Sequence, residues 1–253
     1  LLFIFMMPPL EVLLLNMPAL NFAKIAADHI DEVCQQLVDD EILAKEQIKS
    51  FELLELTSVQ HRYYHEGSDD FFTLGPVSLR FSPGELVFLV GGNGSGKTTL
   101  AKLLVGLYVP EEGVIKLDGR VINNESRDQY RQLFSAVFSD FHLFEQLLED
   151  QYVDLDSVGN ELISKLNLQH KVKIKDGAFT SRNLSQGQRK RLALIVAYLE
   201  DRPFLLFDEW AADQDPAFKD VFYHHLLPEL KEQGKTIFVI SHDDRYFHLS
   251  DRL

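Results

Sequence analysis

The chain has 253 residues, of which 45% are hydrophobic and 25% charged, an ordinary globular composition. This composition excludes a mainly disordered or fibrous protein, and the length fits one large domain with or without an appendage. The formal net charge is −14, from 25 basic and 39 acidic residues. Such a charge repels a phosphate backbone, so we expect no nucleic-acid partner. The single cysteine, Cys34, excludes an internal disulfide and a cysteine-rich zinc site.

An apolar segment opens the chain, but it is too short and too interrupted to be a complete membrane span. Residues 1–15 are nearly all apolar, and Pro8, Pro9 and Glu11 break the run. A complete span needs about 20 apolar residues. Neither a basic flank nor a small-residue cleavage site indicates a signal peptide. Two interpretations stay open on these residues alone: the packed N-terminal helix of a soluble domain, or the end of a membrane helix that emerges into the cytosol.

Beyond this segment, apolar residues recur at a spacing of three and four, which predicts an amphipathic helix. The stripe consists of Ala23, Ala26, Ala27, Ile30, Val33, Cys34 and Leu37. Acidic and amide side chains occupy the other face, and the acidic cluster at residues 39–41 is typical of a solvated face or a linker. We therefore expect the apolar segment to run into a long, half-buried helix.

From about residue 51, short apolar runs separated by turns alternate with helical stretches, a pattern that predicts an α/β fold. The predicted strands are 51–59, 77–81, 86–90, 114–117, 204–207 and 236–240. The predicted helices are 97–107, 186–199 and 218–232. The last two strands are continuous apolar runs, which are typical of a parallel sheet covered on both faces.

A glycine-rich loop follows the strand at residues 86–90 and precedes a helix. Residues 91–98 read GGNGSGKT and fit the pattern G-x-x-x-x-G-K-[ST]. Glycines let the main chain approach a polyphosphate, and the N–H groups of the loop and helix start carry partial positive charge. We expect Lys97 to reach the β- and γ-phosphates of ATP, Thr98 to bind Mg²⁺ and Thr99 to donate to the α-phosphate. The predicted nucleotide-binding residues of the loop are Gly91, Gly92, Asn93, Gly94, Ser95, Gly96, Lys97, Thr98 and Thr99.

A second acidic element ends the apolar run at residues 204–209, FLLFDE. We expect the strand to deliver Asp208 to its carboxyl end beside the phosphates, where a carboxylate holds Mg²⁺ directly or through water. Glu209 points elsewhere because it is one residue further on. This offset suits a carboxylate that polarises the attacking water. Together with the glycine-rich loop, the element predicts a site for ATP hydrolysis.

The sequence LSQGQ at residues 184–188, followed by a basic run, resembles the nucleotide-binding domain of ATP-binding cassette (ABC) proteins. The family signature is LSGGQ, and Gln186 here replaces its first glycine. The resemblance covers residues 51–253. It implies a P-loop NTPase fold, an ABC ATPase domain with a parallel-sheet core, antiparallel strands and a helical subdomain at about residues 140–195.

The same resemblance implies a head-to-tail homodimer, so the first expected partner is a second copy of the chain. ATP on the Lys97 loop of one subunit would be capped by Ser185, Gly187 and Gln188 of the other. A helix that begins after a serine forms a second anion cradle, complementary to the first.

Three further positions match the family outside the loop and the signature, and a fourth departs from it. Tyr63 stands where an aromatic stacks on adenine, Asp215 is the inter-subunit aspartate, and His242 contacts the γ-phosphate. In the family a glutamine between the subdomains contacts Mg²⁺ and transmits the nucleotide state to the membrane domain. Ser139 takes that place here, and its shorter hydroxyl would act through a water. The expected catalytic residues are Glu209, His242 and Lys97, and the expected metal contacts are Thr98, Asp208 and Ser139.

The phrases VFSDFHLF, LSQGQRKR and DEWAADQD resemble a narrower group, the bacterial exporters of cyclic peptides, lipopeptides and siderophore precursors. In that group the membrane half precedes the ATPase half in one polypeptide. The resemblance implies that residues 1–22 end a transmembrane helix, residues 23–50 form a cytoplasmic helix and linker, and residues 51–253 form the ATP-binding domain. We expect the natural chain to continue past residue 253, because residues 251–253 would begin another strand.

The sequence therefore predicts the ATPase half of a homodimeric exporter in the bacterial inner membrane, with the ATPase domain on the cytoplasmic side. ATP and Mg²⁺ are the expected cofactors, and the expected partners include the protein's own transmembrane domain and an exported, small peptide-like compound. Two other functions stay open. One is a soluble ABC-type ATPase of DNA repair or translation, which the apolar start and the acidic charge disfavour. The other is a nucleotide switch that barely hydrolyses ATP, which Ser139 and Gln186 make conceivable.

Overall fold

The structure is a computed structural model, which describes residues 16–17, 22–24, 26–27, 29–30, 48–64, 71–144, 147, 154–181 and 183–253, with the backbone alone at residues 63 and 64. The chain divides into two compact units, Leu1–Lys45 and Glu46–Leu253. In the first unit the described residues are helical and exposed, including Phe22 and Ile30. These residues are helical, as the apolar spacing predicts, but the stripe residues Ala23, Ala26, Ala27 and Ile30 are exposed, so the expected half-buried face is not observed at these positions.

The membrane segment predicted at residues 1–22 falls outside the described residues, except for 16–17 and 22. Within the described part of the chain, no helix combines the length and the apolar character that a membrane crossing requires.

The second unit contains ten strands and six α-helical segments in its described residues. The strands are β1 (Leu54–Tyr64), β2 (Phe71–Phe81), β3 (Leu86–Leu89), β4 (Glu112–Leu117), β5 (Arg120–Val121), β6 (Phe134–Val137), β7 (Ile174–Lys175), β8 (Ala178–Phe179), β9 (Phe204–Asp208) and β10 (Thr236–Ile240). The helices are α1 (Lys97–Leu104), α2 (Arg127–Arg131), α3 (Leu155–Lys165), α4 (Gln186–Leu199), α5 (Pro216–Val221) and α6 (Leu227–Glu232).

A four-stranded parallel sheet in the order β3-β10-β9-β6 forms the centre of the unit. Side chains of β9 and β10 alternate between two buried clusters, because successive residues of a strand point to opposite faces. Phe204 and Phe238 pack on one face, whereas Phe207 and Val239 pack on the other. The expectation of a parallel sheet covered on both faces is therefore confirmed. Parallel strands also bring their carboxyl ends to one edge, where the loop after β3, the end of β9 and the end of β10 meet.

The remaining strands form an antiparallel sheet in the order β2-β1-β4-β5 and a small hairpin, β7-β8. The hairpin lies between α3 and α4, so the range predicted as a helical subdomain also contains strands. The expected start of a strand after residue 250 is present as a single parallel bridge between Val87 and Arg252, in which the Phe88 N–H donates to the Arg252 carbonyl at 2.9 Å.

The sequence-based expectation omitted strands β5, β6, β7 and β8 and helices α2 and α3, and it made one helix of a segment that is interrupted. Strand β6 was not predicted, because its run of four residues is short and includes Ser135. The helix predicted at 218–232 is interrupted by a π-helical turn, Phe222–Leu226, between α5 and α6. Such turns insert an extra residue and re-aim side chains, often at functional sites.

Candidate active site

The glycine-rich loop joins β3 to α1 and faces solvent at residues 91–95. Lys97 is 9% exposed, and its ammonium group donates to the carbonyls of Gly91 and Gly92 at 3.0 Å each. Gly96 precedes α1 with φ 87°, a left-handed conformation that favours glycine. The Lys97 charge therefore lies against the loop at the N-terminus of a helix, an arrangement that binds anions.

The loop and the end of β9 meet through a direct hydrogen bond: the Thr98 hydroxyl donates to Oδ2 of Asp208 at 2.8 Å. Asp208 is only 1% exposed, and its Oδ1 has no hydrogen-bond partner. Burial raises the pKa of Asp208, and the charges of Glu209 and Asp140 act in the same direction, whereas the Thr98 hydrogen bond and Lys97 oppose them. A buried, unpartnered carboxylate oxygen beside a hydroxyl is a donor set that fits Mg²⁺.

Glu209 and His242 come together at the same edge of the sheet. Oε1 of Glu209 lies 2.9 Å from Nε2 of His242, although the two residues belong to loops after different strands. Glu209 adopts φ 49° and ψ 32°, a left-handed conformation that is uncommon for a residue with a side chain. Its side chain consequently diverges from that of Asp208, so one carboxylate contacts Thr98 and the other contacts His242.

Two further predicted positions, Tyr63 and Ser139, lie in β1 and on the segment after β6. Tyr63 lies in β1 opposite Phe72, and its side chain is outside what the structure describes. Ser139 is exposed on the segment after β6 and lines a cavity of about 510 Å³ together with Asp140 and Gln186. Among the described residues, no hydrogen bond joins Ser139 to Thr98 or Asp208.

The signature segment forms the start of α4. Ser185 caps the helix, since its side chain accepts from the Gln188 N–H and the Gln188 side chain accepts from the Ser185 N–H. Ser185 is exposed, and Gly187 is half-buried against the turn after β9, where its carbonyl accepts from Nε2 of Gln214 at 3.0 Å. Within the described chain, no hydrogen bond or ion pair joins Ser185 or Gly187 to residues 91–99.

Asp215 caps a helix of its own chain. Its Oδ1 accepts from the Phe218 N–H at 2.9 Å at the start of α5, and Oδ2 pairs with Arg191 at 2.8 Å. The backbone hydrogen bond from Phe218, with Arg191 acting in the same direction, lowers the pKa of this carboxyl. The inter-subunit role of Asp215 stays a prediction.

Lys190 is a residue that the sequence reasoning missed. It is 2% exposed, and its ammonium group contacts Asp213 and the carbonyl of Glu209. A signal for its burial was present, because Lys190 precedes Ala193, Leu194 and Ala197 at helical spacing on the apolar face of α4.

Comparison with known proteins gives a family and several relatives. The family model described as "ABC transporter" matches residues 74–212. The chain is 47% identical over 264 residues to "ATP-binding protein SyrD" of Pseudomonas syringae pv. syringae, covering 99% of this chain and 46% of SyrD. It is 28% identical over 218 residues to "Probable syringafactin export ATP-binding/permease protein SyfD" of strain B728a, covering 79% of this chain and 32% of SyfD. The chain thus spans less than half the length of these two relatives.

A shorter relative and two solved structures also match. The chain is 32% identical over 198 residues to "Thiamine import ATP-binding protein ThiQ" of Vibrio vulnificus, covering 76% of this chain and 79% of ThiQ. The ATP-bound structure of a bacterial Atm1-family ABC exporter matches with a TM-score of 0.66 at 23% identity, over 94% of this chain and 44% of that one. The dimeric, post-hydrolysis structure of an ATP-binding cassette with ADP and Pi matches with a TM-score of 0.61 at 24% identity. The match covers 79% of this chain and 94% of that one. At these identities the two structures establish the fold.

Proposed function

Because the chain belongs to the ABC transporter family of ATP-binding domains, we propose that this ABC ATPase domain is the motor of a membrane exporter. The observation that carries the proposal is the meeting of four predicted residues at one edge of the parallel sheet. Thr98 bonds to Asp208 at 2.8 Å, and Glu209 lies 2.9 Å from His242. The first pair supplies a carboxylate that can bind the metal, and the second supplies a carboxylate that is free to act on the attacking water. ATP hydrolysis requires both functions.

In this proposal the side chains of the loop bind the triphosphate and orient it. Lys97 neutralises phosphate charge, and the N–H groups at the start of α1 donate to phosphate oxygens. Thr98 and Asp208 would hold Mg²⁺, and Ser139 would act through a water. When bound, Mg²⁺ offsets the charge of the phosphate oxygens. Glu209 accepts a proton from the attacking water, and His242 keeps that carboxylate in position while contacting the γ-phosphate.

We further propose that two copies of the chain assemble head to tail. Ser185 and Gly187 would then cap the ATP bound at the partner's loop, with Gln188 and Asp215 at the same interface. This proposal is supported by the exposure of Ser185 at the N-terminus of α4, where helix N–H groups favour an anion. Tyr63 would contact the adenine of the ATP in its own subunit.

The assignment to export is supported by the name of one relative, since SyfD is described as a "Probable syringafactin export ATP-binding/permease protein". We propose that this ATPase domain works with its own transmembrane domain at the bacterial inner membrane and faces the cytoplasm. The exported compound is a small peptide-like or siderophore-type molecule, an inference that rests on the resemblance of the three phrases quoted above.

Glu209→Gln tests the hydrolytic site. The variant keeps the shape of the side chain but removes the base, so we expect kcat for Mg-ATP to fall by about 10²–10⁴-fold while ATP affinity is retained. Glu161→Gln, at an exposed position of α3, is the matched control and should hydrolyse ATP like the parent. Hydrolysis by Glu209→Gln at the parent rate would contradict the assignment of the base.

Light scattering of the Glu209→Gln chain tests the dimer. With hydrolysis blocked, Mg-ATP should convert the monomer into a dimer, and Mg-ADP should not, because only ATP supplies the γ-phosphate that the second subunit caps. A monomer that persists under saturating Mg-ATP would contradict a shared site formed by these residues alone.

A further inference from the structure

Lys190 carries a positive charge in the interior, next to the predicted hydrolytic residue. It lies four residues after Gln186 in α4, and its side chain is 3% exposed. A buried lysine is destabilising unless a partner compensates its charge. Asp213 compensates it, with an oxygen-to-nitrogen distance of 2.7 Å. The Asp213 side chain is 40% exposed, so the pair lies at the boundary between interior and solvent.

The second acceptor of the Lys190 ammonium group is the backbone carbonyl of Glu209, at 3.1 Å. This bond matters because Glu209 has a left-handed backbone that its own side chain disfavours. The N–H of Glu209 donates to the Ile240 carbonyl at 3.1 Å, and its carbonyl also accepts from the Ala212 N–H at 3.2 Å. Lys190 thus supplies the side-chain hydrogen bond to the carbonyl of this strained residue.

Hydrogen bonds between α4 and the turn after β9 have donors on both elements. The indole N–H of Trp210, the residue after Glu209, donates to the backbone carbonyl of Lys190 at 2.8 Å. Gln186 also donates to Oδ2 of Asp213 at 3.2 Å, the same oxygen that pairs with Lys190. The start of the signature helix and the backbone of Glu209 therefore share one network.

We propose that Lys190 is a positioning residue for hydrolysis. Its ammonium group fixes the Glu209 backbone in the conformation that directs the carboxylate to His242, and Asp213 serves as its counter-ion. Through Gln186, the same network connects the orientation of the Glu209 side chain to the signature segment of the same subunit. This inference rests on the proposed function, because it assumes that Glu209 is the base.

Three variants of the 253-residue chain test the proposal. Lys190→Met keeps the apolar stem but removes both bonds of the ammonium group. Lys190→Arg keeps the positive charge and supplies donors for both acceptors. Lys235→Met is the matched control: Lys235 also donates to a carbonyl and to a carboxylate, at 2.9 and 2.6 Å, both from Asp201.

We expect Lys190→Met to lower kcat by about tenfold or more while KM for ATP stays within about twofold of the parent, because nucleotide binding does not use Glu209. Lys190→Arg should recover kcat to within about threefold. Lys235→Met should lose stability without a loss of kcat. The emission of Trp210, the single tryptophan, reports whether each variant retains its buried indole and is therefore folded.

The proposal is overturned if Lys190→Met has the kcat of the parent, if kcat falls equally in the Met and Arg variants, or if Lys235→Met loses as much kcat. A rise of KM in proportion to the loss of kcat would equally overturn it, since it would indicate damaged ATP binding. Failure of the proposed function gives a different result: hydrolysis by the parent chain would then be unaffected by Glu209→Gln.

Discussion

Replacing Gly96 by alanine tests how the phosphate loop is held on the protein. An ideal Cβ at this position would lie 2.9 Å from Cε1 of Phe72 and 3.0 Å from Cδ1 of Leu74. The left-handed backbone, φ 87°, costs an alanine about 1–2 kcal/mol. Crowding adds about 1–2 kcal/mol, in the lower part of the overpacking range, because both neighbours are ends of side chains.

The alanine also lowers the conformational entropy of the unfolded chain, and this effect offsets about 0.4–1 kcal/mol of the lost stability. The net loss is then about 2–3 kcal/mol, and for a domain of about 200 residues it lowers Tm by about 5–10 °C. We expect affinity for ATP to fall by about tenfold or more, because Gly96 adjoins Lys97 and begins α1. Thermal unfolding followed by circular dichroism measures the first effect, and calorimetric titration with a non-hydrolysable ATP analogue measures the second.

Gly84→Ala is the matched control. Gly84 has φ 76°, and an added Cβ would have no atom within 4 Å. Alanine at this position therefore strains the backbone but causes no crowding. We expect a decrease in Tm of about 2–3 °C and unchanged ATP affinity. Equal decreases for Gly84→Ala and Gly96→Ala would refute the packing argument, and parental ATP affinity in Gly96→Ala would refute the inference that the loop geometry requires glycine there.

Two further predictions concern the loop after β10. Arg245 holds the pKa of Asp243 at about 2, below its unfolded value. This stabilisation is present above about pH 4 and is lost as the pH falls towards 2. Asp243→Asn should therefore lower the free energy of unfolding, measured by urea titration, by about 1 kcal/mol at pH 7, with the difference from the parent shrinking at pH 3. Tyr223→Phe removes a 2.8 Å hydrogen bond to Ser241, the residue before His242. We therefore expect kcat to fall a few-fold at constant KM, as steady-state kinetics will show.

Each of these predictions has a direct check. A difference between Asp243→Asn and the parent that is the same at pH 7 and pH 3 would contradict the carboxylate's role. For Tyr223→Phe the control is Tyr246→Phe, because the two rings stack at 4.1 Å but the Tyr246 hydroxyl donates to Asp220 instead. Both variants keep the stacked rings, so equal losses of kcat would contradict a specific role for the hydrogen bond between Tyr223 and Ser241.

The sequence by itself determined the elements whose signals are local. Strands β3, β9 and β10 were predicted because continuous apolar runs of four or five residues are buried on both faces of a parallel sheet. The phosphate loop was predicted because glycines, a lysine and a threonine at fixed spacing stand between a strand and a helix. The ABC fold followed from ordered motifs, and the family match confirms it.

Only the tertiary structure decided how these elements meet. The Thr98–Asp208 bond joins residues 110 positions apart, and the Glu209–His242 contact spans 33 positions, so no local pattern fixes either distance. The left-handed backbone of Glu209 makes hydrogen bonds to two other elements: its N–H donates to the Ile240 carbonyl, and its carbonyl accepts from Lys190.

Lys190 shows the limit of sequence reasoning most plainly. It stands in a basic run at the start of α4, and the packing of α4 against the turn after β9 buries it. A buried charge is tolerated only where a counter-ion and a hydrogen-bond acceptor are already in place. Those partners, Asp213 and the carbonyl of Glu209, come from a distant segment, and only the folded chain brings them to the lysine.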